Sequence, residues 1–133
     1  MGKHITDGLH ATCHVMSSDE DLEIVADIYV GFNTRHELTI SIDYFDYEYP
    51  ELNHSTALVV STPDAFKMAK RHKEKFSDLP WFISQCMWEW REIINPTVNQ
   101  TKECFREITD NLIEEGCRFR VIHTYGKGNF SFV

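Results

Sequence analysis

Basic side chains are almost missing from the first 60 residues of this 133-residue chain. Only Lys3 and Arg35 stand there against eleven Asp and Glu, a local net charge of −9. Residues 61–133 come to +1, so one half carries the formal −8 of the whole. Such a half argues against a nucleic-acid or anionic-lipid surface, since both concentrate Lys and Arg. It favours a basic protein as partner. No apolar run approaches the roughly 20 residues that cross a bilayer, so no membrane role is expected. The opening MGKHITDG has none of the apolar core of a secretory signal. Met1 to Thr6 matches the loose acylation pattern, but the pattern is short and common, and one acyl chain anchors only marginally.

Cysteine motifs are absent as well. Cys13, Cys86, Cys104 and Cys117 form no CxxC pair. That points to reduced, mostly buried thiols in a cytoplasmic protein rather than a disulfide framework or zinc ribbon. Glycine is scarce, and Gly126-Lys127-Gly128-Asn129 is too short for a phosphate loop and precedes a strand, so it reads as a hairpin turn. There is no internal repeat, and neither a cofactor nor a metal is implied. What is present is a 42% hydrophobic composition with nine Phe, five Tyr and three Trp. At this length one core needs no metal or disulfide. The expectation is a single domain, 1–133, with 1–8 as a flexible tail.

Alternation organises the first half. In residues 9–16, Leu9, Ala11, Cys13 and Val15 oppose His10, Thr12, His14 and Met16, a half-buried strand. Residues 22–32 alternate again. A helix competes there, because Ser18 suits a cap, and Leu22, Val25, Ile28, Tyr29 and Phe32 have helical spacing. The β-favouring Ile24, Val25, Ile28, Tyr29 and Val30 decide for a strand. So does the alternating segment that follows, Leu38, Ile40, Ile42 and Tyr44. The link Asn33-Thr34-Arg35 fits a hairpin in which Asn tolerates a left-handed backbone. Pro50 ends the third strand, and residues 54–61 make a fourth.

The second half is punctuated by proline. Thr62-Pro63-Asp64 predicts a helix start with a capping hydroxyl, and the helix is expected to run to about Phe76 with Ala65, Phe66, Ala69, His72 and Phe76 inward. Lys67, Lys70, Arg71, Lys73 and Lys75 then make a solvated basic face. Residues 80–94 are apolar nearly all round, which predicts a central helix. Residues 96–115 make a third helix, with Val98, Cys104, Phe105, Ile108 and Leu112 inward and Gly116 as its left-handed cap. Residues 117–123 and 129–133 form a last hairpin. The order predicts an α+β fold: a mainly antiparallel sheet of four N-terminal strands plus a C-terminal hairpin, with three consecutive helices packed on one face.

The acidic-aromatic run Asp43-Tyr44-Phe45-Asp46-Tyr47-Glu48-Tyr49 is the leading site. Tyrosine offers rigid contact area, and carboxylates steer a basic partner. With Glu23 and Asp27 on the neighbouring strand, the candidate partner-binding set is Asp43, Tyr44, Asp46, Tyr47, Glu48, Tyr49, Glu23 and Asp27. The plainer reading is a strand end with solvated acids. A second candidate is a ligand or enzymatic pocket lined by His10, His14, His123 and Trp88. His10 and His14 lie about 13 Å apart on a strand, too far to share a metal unaided. A Cys–His nucleophile would pair Cys13 or Cys117 with His14 or His123, but an apolar site and a helix C-terminus both disfavour the thiolate. The functional expectation is therefore a protein-interaction or inhibitor module of the immunity or nucleic-acid-mimic kind. A His- and Trp-lined pocket and a subunit that self-associates through the second helix are the alternatives.

Overall fold

The computed structural model describes residues 9–126 and, as backbone, 129–132. The expected tail 1–8, the acylation-like pattern, and Lys127 and Gly128 of the last turn lie outside the described residues. Six strands form one antiparallel sheet in sequential order: β1 (His10–Ser17), β2 (Ile24–Phe32), β3 (Leu38–Asp46), β4 (His54–Val60), β5 (Phe119–Tyr125) and β6 (Asn129–Phe132). Between β4 and β5 come α1 (Thr62–Arg71), α2 (Leu79–Cys86) and α3 (Val98–Glu114). The fold is α+β, and within the segment 22–32 a strand forms as the alternation implies, though it begins at Ile24, residues 22 and 23 belonging to the preceding turn.

The pairings β2–β3, β3–β4 and β4–β5 run without a register shift. Alternation therefore divides the side chains of four strands cleanly. One face carries Ile28, Ile42, Val30, Ile40, Leu58 and Val60, and packs with Ala65 and Met68 of α1, Leu79 and Ile83 of α2, and Cys104, Ile108 and Leu112 of α3. α2 lies across β1 and β2, and α3 across β2. The three helices thus share one face.

The opposite face differs from expectation. Its middle is built of small side chains (Thr39, Ser41, Ser55, Ala57 and Thr124) that are nearly inaccessible. Asp43 stands among them between Asp27 and Ser55, fully buried, with Ser41 Oγ donating to its carboxylate at 2.8 Å. Alternation places a residue on a face. It does not say whether short side chains there are overshadowed by larger neighbours such as Phe45 on the same strand.

Strand β1 departs from simple alternation. Its register to β2 shifts twice, and Ala11 has a φ of 51°, so Val15 and Met16 are both buried. Asn33 shapes the β2–β3 turn through its side chain, whose Oδ1 accepts from the N–H groups of Arg35 and Glu37, each at 2.9 Å. The left-handed residue of that turn is His36, at φ 61°.

The helices are shorter than their apolar patterns suggest. Helix α1 ends at Arg71 because Lys73 turns left-handed at φ 56°. Its buried stripe is Asp64, Ala65, Met68 and Ala69, leaving Phe66 and His72 exposed. Its N-cap is Ser61, not Thr62, and no side chain caps it. Helix α2 stops at Cys86, and Trp88–Glu92 continue as a 3₁₀ turn. The expectation of a central helix contacted on several sides fails, since α2 buries only Leu79, Pro80, Ile83 and Ser84, Trp81 and Trp88 are each about half exposed, and Ile94 more so. Helix α3 begins on a capping box, with Thr97 Oγ1 accepting from Gln100 N–H and the Gln100 side chain from Thr97 N–H. It ends as expected at Gly116, φ 77°, where Gly116 N–H reaches Ile113 O and Cys117 N–H reaches Leu112 O.

Asp64 fastens α1 to the start of β5. Its Oδ2 accepts from both the backbone and the guanidinium of Arg118, each at 3.0 Å. Those hydrogen bonds hold the Asp64 carboxyl below the usual carboxylate range. A carboxyl depressed in the folded state stabilises the fold above its unfolded pKa and loses that contribution as pH falls through the folded one. Thermal melts between roughly pH 6 and pH 3 are expected to show a shallower loss of Tm in Asp64→Asn than in the parent. Equal slopes would contradict the assignment.

Candidate binding surface at one end of the sheet

An antiparallel meander returns alternate connections to the same end. Here the β1–β2 turn, residues 18–23, and the β3–β4 connection, residues 47–53, lie together. A hydrogen bond from Tyr47 N–H to Glu23 O, 3.1 Å, joins them directly. Each is internally braced. Ser18 exchanges bonds with Ala26 through its N–H and its Oγ, both 2.8 Å, and Asp19 N–H is tied to Pro96 O before α3, also 2.8 Å. Asp46 Oδ1 accepts from Glu48 N–H and Tyr49 N–H at 3.1 and 2.9 Å. Asn53 Oδ1 accepts from Asp46 N–H, and Asn53 O from Gly126 N–H at the end of β5, both at 2.6 Å. Asp and Asn hold the loop backbone here by the turn chemistry that suits them.

This end collects Asp19, Glu20, Asp21, Glu23, Asp46, Glu48 and Glu51, and residues 18–23 and 46–53 contain no Lys or Arg. Exposed apolar and aromatic side chains stand beside them: Leu22, Ile24, Tyr47, Tyr49, Leu52 and Tyr125, with Tyr47 at 66% exposure. Ion pairing is absent from it among the described residues. The arginine pairs that join separate elements are Arg71–Glu115, Arg118–Asp64 and Arg120–Glu37. All three lie toward the other end, where β2 turns into β3 and β4 leads to α1. The acidic half of the chain is thereby sorted in space, with Glu37 neutralised by Arg120 and the two loops without an ion pair among the described residues.

A cleft of about 420 Å³ opens in this surface, lined by Ile24, Tyr44, Glu51, Leu52, His54 and Tyr125 among others. Three of its rings form a row on adjacent strands. Tyr44 and His54 stack at 4.4 Å between centroids, and His54 and Tyr125 at 6.4 Å. His54 Nδ1–H donates to Leu52 O at 3.0 Å, which fixes the ring. Burial pushes the Tyr44 phenol up, so it stays neutral. Lys102 of α3 places its Nζ 5.6 Å from the Tyr44 ring centroid.

The expected partner-binding residues are thus divided. Tyr47, Glu48, Tyr49 and Glu23 are exposed at the sheet end, Tyr44 lines the cleft, and Asp46 braces the loop. Asp43 is buried, and Asp27 is partly buried on the face away from the helices, accepting from Ser17 Oγ. These two do not belong to the exposed surface. His54, Leu52 and Tyr125 were not in the expected set. The Tyr44↔His54↔Tyr125 register joins them, and pairing between distant strands leaves no local mark in a sequence.

His10, His14, His123 and Trp88 are not brought together. His10 and His14 lie on edge strand β1, and His123 on β5, four strand spacings away or about 19 Å. His14 Nε2 lies 2.7 Å from Ser17 Oγ on the face away from the helices, whereas His123 Nδ1 meets Thr56 Oγ1 at 3.0 Å on the helix side. Trp88 is exposed beyond α2. Among the described residues no three His, Cys, Asp or Glu are grouped to hold a metal.

A separate groove of about 320 Å³ lies among the helices, floored by Met68, Ile83, Met87, Ile108 and Leu112, with His72, Cys86 and Glu115 on its rim. Burial tends to raise the Glu115 carboxyl, but hydrogen bonds from His72 and Arg71 outweigh it and hold the group low. The Cys86 thiol is pushed up by burial, then by Glu115 and Glu74. Burial pushes Cys104 up to about 12. Cys117 is raised by burial and by Asp64, toward whose carbonyl its Sγ points at 3.9 Å, not toward a histidine. None of these three is an activated nucleophile. Iodoacetamide near pH 7.5 is expected to modify Cys86 slowly, to spare Cys104 and Cys117 in the folded protein, and to reach all four cysteines in denaturant. Fast labelling of native Cys117 would overturn this.

Comparison with known proteins finds no matching family model, no matching curated protein and no matching solved structure, so the site is read from its own geometry.

Proposed function

We propose that this chain is a protein-interaction module, of the inhibitor or immunity kind, that engages a basic protein partner through the acidic end of its sheet. The observation that carries the reading is the segregation of charge. Among the described residues the carboxylates of the two joined loops make no ion pair, while Glu37, Asp64 and Glu115 at the other end are matched by arginine. Unmatched like charges on a rigid surface steer an oppositely charged partner and speed its encounter. Tyr47 and Tyr49 beside them supply contact area at low conformational cost. The reading moves the site from the face of the sheet, where Asp27 and Asp43 lie, to its end. In its most concrete form the protein would block a nucleic-acid-binding enzyme by setting carboxylates where phosphates bind. Four free thiols suit a reducing compartment such as the cytoplasm. No helix among the described residues is long and apolar enough to cross a membrane.

Self-association is the second reading, and the exposed Trp81 and Trp88 favour it. Light scattering separates the two, since a strict monomer excludes it.

The leading reading makes a quantitative demand. An Arg- and Lys-rich peptide, followed by fluorescence anisotropy, is expected to bind about tenfold or more weakly when salt rises from roughly 50 to 500 mM. Combined Glu23→Gln, Glu48→Gln and Glu51→Gln is expected to cost about tenfold at low salt. Binding that ignores both salt and these substitutions would refute the proposal.

A further inference from the structure

We infer that the cleft between β3, β4 and β5 is an arginine side-chain pocket: it takes the guanidinium of the basic partner against the His54–Tyr125 rings, with the Glu51 carboxylate as its counter-charge. The inference rests on the reading of the sheet end as a partner-binding surface, and names the group that surface selects.

Three features of the cleft argue for a cation. The first is the ring row itself, since an aromatic face attracts a cation held within about 6 Å of its centroid. The row already holds one such contact, Lys102 Nζ over Tyr44 at 5.6 Å. That Lys102 contact is on Tyr44, the member of the row farthest from Tyr125. The second is charge. Glu51 is exposed at the rim and makes no ion pair among the described residues, whereas the neighbouring Asp46 is already spent on the loop backbone. The third is the apolar wall. Ile24 and Leu52 are both exposed, and they line the cleft where the methylene stem of a long basic side chain would lie.

The ring geometry favours a planar cation over an ammonium. Tyr44 and His54 are in contact at 4.4 Å, while His54 and Tyr125 stand 6.4 Å apart and only 18° from parallel. Two stacking contacts of about 3.5 Å need roughly 7 Å, so a flat group enters between the rings only when Tyr125 swings outward. Tyr125 is half exposed and its ring also meets that of His123 at 6.1 Å, while His54 is held by its bond to Leu52 O. A guanidinium stacks and still presents its edge to a carboxylate. A lysine ammonium does only the second.

The test uses the whole protein and small probes. N-acetyl-arginine amide, titrated into isotopically labelled protein, is expected to shift the His54 and Tyr125 ring resonances. The lysine analogue should bind more weakly and the uncharged citrulline analogue not at all. Tyr125→Leu and Glu51→Gln change exposed side chains, and each is expected to weaken arginine binding about threefold to fivefold. If arginine, lysine and citrulline shift the rings equally, or if neither substitution matters, the pocket is wrong. The basic peptide separates that failure from failure of the wider reading. Salt-sensitive peptide binding that survives Tyr125→Leu and Glu51→Gln overturns only the pocket. No peptide binding at all overturns the surface with it.

Discussion

The register of β2, β3, β4 and β5 is the constraint on which the rest of this protein depends. Because these strands pair without a shift, Ile28, Ile42 and Thr56 stand in one row beneath the helices, and Asp27, Asp43, Ser55 and Thr124 stand in a row on the other face. Sliding one strand by a single residue would exchange the two rows, setting carboxylates against the helices and isoleucines against the small-residue face. Burial of each large aliphatic side chain is worth roughly 1.5–3 kcal/mol, so several rows acting together specify one register strongly. The polar row works against stability where it is incompletely satisfied. Among the described residues Thr124 Oγ1 is buried without a hydrogen-bond partner, a loss on the order of 1–3 kcal/mol.

The same register creates the acidic surface. It fixes which connections share an end, and so sets the 18–23 turn beside the 47–53 loop and the end of β5. It also sends α1, with its lysines, away from the other end of β4. Arginines therefore gather where they meet Glu37, Asp64 and Glu115, and among the described residues the carboxylates at the opposite end make no ion pair. Charge separated along the strands in this way survives only because the loops are pinned. Asp46 and Asn53 hold one backbone, Asp19 and Ser18 the other, and the Tyr47–Glu23 bond holds them to each other.

Much of this was legible residue by residue. Alternation locates the first three strands, Pro63 and Pro80 mark two helix starts, and Gly116 marks the end of the third helix. Two kinds of information were not there to read. Alternation names a face but not its cover, so Asp43 looks solvated when the fold buries it. Apolar content names a tendency to be covered but not the outcome, so residues 80–94 look central although Trp81 and Trp88 remain exposed. Bulges are similarly hidden, because the extra residues of β1 are ordinary until their partner strand is known. For the site, the acidic and tyrosine-bearing loop was visible, whereas its neighbours Glu20, Leu22, His54 and Tyr125 come from strands and turns joined only by pairing.

The central claim is that negative potential is concentrated at one end of the sheet, and it can be read without any partner. Paramagnetic relaxation of backbone amides, compared between a cationic and an anionic nitroxide, reports the local potential at each residue. The account predicts the strongest preference for the cationic probe at residues 19–23 and 47–53, and the opposite preference along Lys67 to Lys75. A uniform preference over the surface, or one centred on the helical layer, would contradict it.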